Sequence, residues 1–205
     1  MLGLPKSTEI HKQLPKKAIY TKFQMNTLSK SKVDADISRI TIVNEITPSK
    51  INIPSGEEVK SFFVLLVLLK RKDFNESTIV TLSKLIPQNI LFVLQYEDEC
   101  KLAIYHKKLM QTEWKQLNLH KIQLQGLNLD KVWENIVISI GSVNIEQGKS
   151  LDQQIEINEK RKKIEKEIAK LEKRAISERQ PKKKFKLIHN KKKLEKQLID
   201  LERWN

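Results

Sequence analysis

The run SFFVLLVLL at residues 61–69 constrains the fold of this chain more than any other feature. A β-strand carries apolar side chains at successive positions when both faces of its sheet are covered. The run is only about half as long as the ~20 apolar residues that a membrane-spanning helix requires. We therefore predict a buried central strand and no membrane span.

Short strand-like and helix-like patterns surround this run. The predicted helices are STEIHKQL, SKSKVDADISRI, DFNESTIVTLSKLI and NLDKVWENIVISI, the last with Asn128 as its N-cap. The predicted strands are AIYTKF, TIVNEI, HKIQLQ, and the hairpin pair NILFVLQY and CKLAIYHKKL on either side of the acidic turn EDE.

The composition changes between Gly141 and Ser150. From Ser150 onward the chain has no glycine and one proline, and lysine and glutamate dominate. We predict an α/β domain at residues 1–145 and a basic helical arm at residues 150–205. The fold class is α+β, with a mixed, largely antiparallel sheet and packed helices, followed by a C-terminal helical hairpin or coiled-coil arm.

Apolar residues spaced seven apart run along both halves of the arm. Ser150 and Gln153 form a capping-box pattern before the first half, and Pro181 separates it from the second. A narrow apolar stripe favours packing against another helix, within one chain or between two chains of a homodimer. Trp204 offers a cap for the hairpin or a contact with another subunit. The predicted helix-pairing residues are Ile157, Ile164, Ile168, Leu171, Leu187, Leu194, Leu198 and Leu201.

The chain carries a formal net charge of +14, and the arm holds much of it. From Ser150 onward there are 18 basic and 10 acidic residues, a surplus of eight in about a quarter of the chain. Such a surplus favours DNA, RNA or an acidic protein surface, although it also suits the solvated face of a coiled coil. The candidate nucleic-acid-binding residues are Lys182, Lys183, Lys184, Lys191, Lys192 and Lys193.

Motifs for common catalytic chemistry are missing from the sequence. No glycine-rich phosphate loop and no G-x-S-x-G elbow occurs, and the four histidines are scattered and expected at the surface. Cys100 follows three acidic residues that would raise its pKa, so we expect a structural thiol. We predict no catalytic residues, no cofactor and no metal site.

A metal-dependent nuclease is the enzymatic alternative. Such enzymes hold Mg²⁺ with carboxylates and use a lysine to stabilise charge, and Glu99 and Lys101 have the spacing E-x-K. Possible companions are Glu57, Glu58 and Asp98. We expect Glu99 at the tip of the predicted hairpin, where a rigid site is disfavoured.

Four segments of the chain resemble a known family. They are LPKSTEIHKQLPKKAIY, DISRITIVNEITPSKINIP, EEVKSFFVLLVLLKRKDF and LIPQNILFVLQYEDECKLAIYHKKL. Together with the lysine-rich end, they resemble a bacterial family catalogued as a domain of unknown function, DUF4391. The resemblance implies genes beside those of helicase-like proteins and DNA methyltransferases in restriction-modification or phage-defence loci.

The leading hypothesis is a non-catalytic, cytoplasmic accessory subunit of a DNA-modifying or phage-defence complex. It would bind a protein partner, which the resemblance implies to be a helicase-like or DNA methyltransferase subunit, and DNA phosphates through the basic arm. The alternatives are the nuclease-like enzyme and a purely structural protein that dimerises through its coiled coil.

Overall fold

The computed structural model describes residues 2–203, so Trp204 and its predicted contact lie outside the described residues. The chain divides into two compact units, Met1–Ser142 and Val143–Asn205.

One seven-stranded sheet runs through the described part of the first unit. Its strand order is β1-β2-β3-β4-β5-β6, and β7 also pairs with β5. Strands β3 and β4 are parallel, whereas the other neighbours are antiparallel. The prediction of a mixed, largely antiparallel sheet is confirmed. The strands are β1 (Glu9–Leu14), β2 (Ile37–Ile46), β3 (Phe62–Leu69), β4 (Asn89–Tyr96), β5 (Glu99–His106), β6 (Lys108–Gln111) and β7 (Lys115–Gln116).

The apolar run forms strand β3 inside this sheet, as predicted. It pairs with β2 on one side and with β4 on the other. Phe62, Val64 and Val67 are completely buried, because helices cover both faces of the strand. Within residues 2–203, no helix is long and apolar enough to cross a membrane.

Helices connect the strands of the first unit. Because β3 and β4 are parallel, they require a crossover connection, and α4 supplies it. The N-cap residue Asn128 accepts a hydrogen bond from the Lys131 amide at 3.0 Å, which confirms the predicted start of α5. The helices are α1 (Lys16–Lys22), α2 (Thr27–Asp36), α3 (Pro48–Ile51), α4 (Glu76–Leu85) and α5 (Leu129–Gly141).

The helices cover the sheet from two sides. Ile19 of α1, Val33 of α2 and Ile79 of α4 belong to one hydrophobic core, together with Leu65 of β3. On the other face, Trp133 of α5 packs against Phe62, with ring centroids 5.1 Å apart. Successive residues of a strand point to opposite faces, so β3 contributes to both cores.

Three predicted elements near the ends of the first unit are wrong. The segment STEIHKQL forms a short 3₁₀ turn and then β1, because its residues pair with β2 at the sheet edge. The segment AIYTKF belongs mainly to α1, which starts after Pro15, whose fixed φ suits a helix start. The segment HKIQLQ forms no strand, and the Ile122 amide donates a hydrogen bond to the Leu2 carbonyl at 3.0 Å.

The second unit contains two long helices, α6 (Leu151–Ser177) and α7 (Pro181–Arg203), which pack against each other. The capping box at the start of α6 is present. Ser150 Oγ accepts from the Gln153 amide at 3.3 Å, and Gln153 Oε1 accepts from the Ser150 amide at 3.0 Å. The prediction of C-terminal helices packed together is confirmed, and we call this pair the helical hairpin.

Candidate nucleic-acid interface

The two helices of the hairpin face each other through the predicted apolar stripe. Leu171 is buried, and the other predicted pairing residues are half-buried. A cleft of about 340 Å³ remains beside Ile164 and Leu201. Two helices alone do not enclose the stripe, so part of it stays accessible. The half-buried residues are Ile157, Ile164, Ile168, Leu187, Leu194, Leu198 and Leu201.

The first lysine triplet lies in the first turn of α7. Lys182, Lys183 and Lys184 are all exposed. Among the described residues, no ion pair joins any of the three to an acidic side chain. Their ammonium groups are therefore available to an external anion.

The second lysine triplet is partly neutralised. Lys191 forms ion pairs with Glu172 of α6 at 2.7 Å and with Glu195 one turn later at 3.6 Å. The hydrogen bond to Glu172 is the main reason why the pKa of Lys191 lies above its ordinary value. Lys191 thus links the two helices, whereas Lys192 and Lys193 are exposed.

The N-terminus of α7 adds positive potential to the first triplet. A helix carries about half a positive charge at its N-terminus, so nearby lysines weaken the helix and nearby anions stabilise it. The first turn of α7 contains three lysines and no acidic residue. The three lysines destabilise the isolated helix, and the Glu178 carboxylate, which accepts from the Gln180 amide at 2.9 Å, opposes them. A bound anion would stabilise this end of the helix further.

Two apolar residues near the first triplet are exposed. Phe185 is 72% exposed and Ile188 is 39% exposed. The apolar stripe of α7 repeats every seven residues, at Leu187, Leu194 and Leu201. Positions 185 and 188 do not follow this spacing, so the sequence already indicates that they lie at the surface.

Glu99 is the first residue of β5 and pairs with Tyr96 across the two-residue turn, so the E-x-K pair begins beside the tip of the hairpin and continues along the strand. The Glu99 side chain forms an ion pair with Lys72. The Lys101 ammonium lies over the rings of Trp114, at 5.1 Å, and Phe74, at 5.3 Å. Burial lowers the pKa of Lys101.

The expected companions of this pair are not brought together. Glu57 and Glu58 lie in the loop before β3, where their backbone amides donate to Asp130 of α5. Asp98 lies in the turn between β4 and β5. The eight residues of β4 separate these two ends of the sheet by roughly 25 Å. Among residues 2–203, no group of three or more histidine, cysteine or acidic side chains is placed to bind a metal ion.

Cys100 is a free, buried thiol, and its pKa is raised for a reason other than the predicted one. Burial, rather than the neighbouring acidic residues, raises its pKa to about 11. His120 is also buried, which contradicts the expected surface position, and its Nε2 donates to the Cys100 carbonyl at 3.0 Å. This hydrogen bond joins the segment around His120 to the start of β5.

One comparison with known proteins supports the family named by the resemblance. A family model described as "Domain of unknown function (DUF4391)" matches residues 2–198. The search of curated proteins and the search of solved structures found no match.

Proposed function

The chain belongs to the DUF4391 family of domains of unknown function, and we propose that it is a non-catalytic accessory subunit that binds the DNA backbone through its helical hairpin. The complex would be of the DNA-modifying or phage-defence type. Its protein partner would be a helicase-like or DNA methyltransferase subunit, as the family resemblance implies.

One observation carries this proposal. Lys182, Lys183 and Lys184 are exposed, have no acidic partner among the described residues, and coincide with the positive end of α7. Lysines placed where they weaken their own helix contribute little to folding, so their placement favours a role in binding anions. The surplus of eight positive charges from residue 150 onward extends the attraction over the whole hairpin.

The chemistry of these side chains favours phosphate contacts over base recognition. An ammonium group is a compact point charge without the planar donor fork that arginine uses for bidentate contacts. Phosphate contacts fix the position of a protein on DNA but carry no sequence information. We therefore expect binding with little sequence preference and a steep dependence on salt.

The half-buried apolar stripe supports the protein-binding part of the proposal. A stripe that two helices leave partly accessible is suited to a further helix, and the cleft beside Ile164 and Leu201 marks a position for it. Affinity purification from the native host, followed by identification of the co-purifying subunits, tests this part. Recovery of the chain alone would contradict it.

Charge reversal of the first triplet tests the DNA-binding part. We expect Lys182→Glu, Lys183→Glu and Lys184→Glu together to weaken binding to DNA of any sequence. The slope of log affinity against log salt should fall by roughly three, because each lost phosphate contact removes about one. Fluorescence anisotropy with labelled DNA at several salt concentrations measures both quantities.

The matched control reverses three exposed lysines of the first unit, Lys12, Lys17 and Lys32. Both triple variants lower the net charge equally, so a general charge effect would weaken them alike. The proposal requires the control to keep most of its affinity and its salt slope. Equal losses in the two variants, or unchanged binding by the first, would refute the assignment.

A further inference from the structure

Phe185 stands out among the side chains of α7, because it is an aromatic residue that is 72% exposed. Ile188 and Ile199 are 39% and 48% exposed. With about 3.6 residues per helical turn, positions 185, 188 and 199 lie on one side of the helix, away from the leucine stripe. This side of α7 has no partner among the described residues.

Basic side chains flank Phe185 along this side of α7. Lys182 is one turn before it, His189 one turn after it and Lys192 two turns after it, and all three are exposed. Residues three, four and seven apart on a helix are surface neighbours. An isolated exposed apolar residue is ordinary, but an aromatic ring between lysines is the combination with which proteins bind single-stranded nucleic acid.

We propose that Phe185 stacks on a base of single-stranded nucleic acid while Lys182 and Lys192 bind phosphates on either side of that base. The inference rests on the proposed function and adds the class of nucleic acid. A single strand exposes the faces of its bases, so one ring gains a stacking partner without opening a duplex.

Two considerations favour single-stranded nucleic acid over a duplex or a membrane surface. In a duplex the ring would have to unstack a base step, and that cost is comparable to the gain from one stacked ring. A membrane-bound helix needs a continuous apolar face, whereas Lys192, Glu195 and Lys196 separate Ile188 from Ile199. The positive charge around the ring matches a phosphate backbone.

The test compares a thymidine oligonucleotide with a hairpin duplex of equal length, using the full chain. We expect Phe185→Ala to lower affinity for the single strand by about 5- to 150-fold, and for the duplex by less than about 2-fold. Phe185→Trp should keep single-strand binding, and its additional fluorescence should be quenched by the bound bases. Circular dichroism checks that α7 remains helical.

Ile176→Ala is the matched control, because Ile176 is 76% exposed on α6 and its truncation also removes exposed apolar surface. It should leave both affinities unchanged. Equal loss in Phe185→Ala and Ile176→Ala would overturn the stacking role. So would a Phe185→Ala variant that keeps single-strand affinity but loses binding to phosphatidylserine vesicles.

These outcomes separate the inference from the proposed function. If Phe185→Ala binds single strands normally while the Lys182–184 reversal abolishes DNA binding, only the stacking role is wrong. If the unaltered chain binds neither oligonucleotide at low salt, the proposed function and the inference both fail.

Discussion

Arg71 binds one carboxylate oxygen of Asp36 through two nitrogen atoms, with Nε at 2.9 Å and Nη2 at 2.6 Å. The Asp36 side chain is 1% exposed, whereas that of Arg71 is 55% exposed. The other oxygen of Asp36 accepts from the Asn75 amide at 3.1 Å and from the Thr78 hydroxyl at 2.9 Å. One carboxylate thus fastens the end of α2 to the segment after β3 and to the start of α4.

Removing the Arg71 side chain should lower the free energy of unfolding of the first unit. Arg71→Ala leaves the buried Asp36 carboxylate with only two hydrogen-bond donors, and losing a charged partner that is itself half-exposed should lower the free energy of unfolding by about 1–3 kcal/mol. Urea unfolding monitored by circular dichroism measures the change, provided that the m-value stays constant. The exposed Arg39→Ala is the control and should cost no more than ~0.5 kcal/mol. A similar small loss for Arg71→Ala would show that the pair contributes little.

The same carboxylate makes stability depend on pH. Burial acts to raise the pKa of Asp36, but hydrogen bonds from Arg71, Thr78 and the Asn75 amide prevail, and the pKa lies below the ordinary 3.8. A carboxylate with a lower pKa when folded stabilises the protein above its unfolded pKa, and this contribution disappears as pH falls through the folded pKa. We expect the free energy of unfolding to decline below about pH 4.

Asp36→Asn supplies the control for this pH dependence. The asparagine cannot titrate, so the free energy of unfolding should be lower near neutral pH and should change less between about pH 5 and pH 2. Some dependence should remain, because the pKa of Asp34 is also lowered, chiefly by its hydrogen bond from Lys16. An unchanged pH profile in Asp36→Asn would contradict the assignment to Asp36.

Local patterns predicted those parts of the fold that depend on neighbouring residues. The uninterrupted apolar run of β3, the Asn128 cap and the capping box of Ser150 and Gln153 are all encoded within a few positions. Strand β1 was mistaken for a helix because its conformation comes from pairing with β2, where Leu14 lies opposite Ile40. A short sequence window does not contain that partner.

The lysines of the candidate interface could be predicted from the sequence, but which of them have acidic partners could not. The lysine triplets are visible in the sequence, yet the neutralisation of Lys191 requires Glu172, which lies 19 positions away on the other helix. The register of α6 against α7 decides which lysines have acidic partners. For the same reason the Asp36 and Arg71 pair was not predicted, because its members are 35 residues apart in the sequence.

Asp130 in the first turn of α5 organises the loop before β3. Its two oxygens accept the backbone amides of Glu57 at 2.7 Å, Glu58 at 3.2 Å and Val59 at 2.7 Å. The bond from Val59 is the main reason why the pKa of Asp130 lies below its ordinary value. A β-carbon on Gly56 would stand 2.0 Å from Oδ1 of Asp130, so this close approach requires glycine.

A methyl group at this glycine should therefore disrupt the loop. Gly56→Ala should displace the Asp130 carboxylate and lower the free energy of unfolding by about 1–3 kcal/mol, because the backbone donors lose their acceptor. In the Asp130→Ala background the clash is absent, so adding Gly56→Ala should cost much less. Urea unfolding of the two single variants and the double variant gives the coupling energy, which should exceed about 0.5 kcal/mol. Additive losses would show that Gly56 and Asp130 act independently and that the loop does not depend on their close approach.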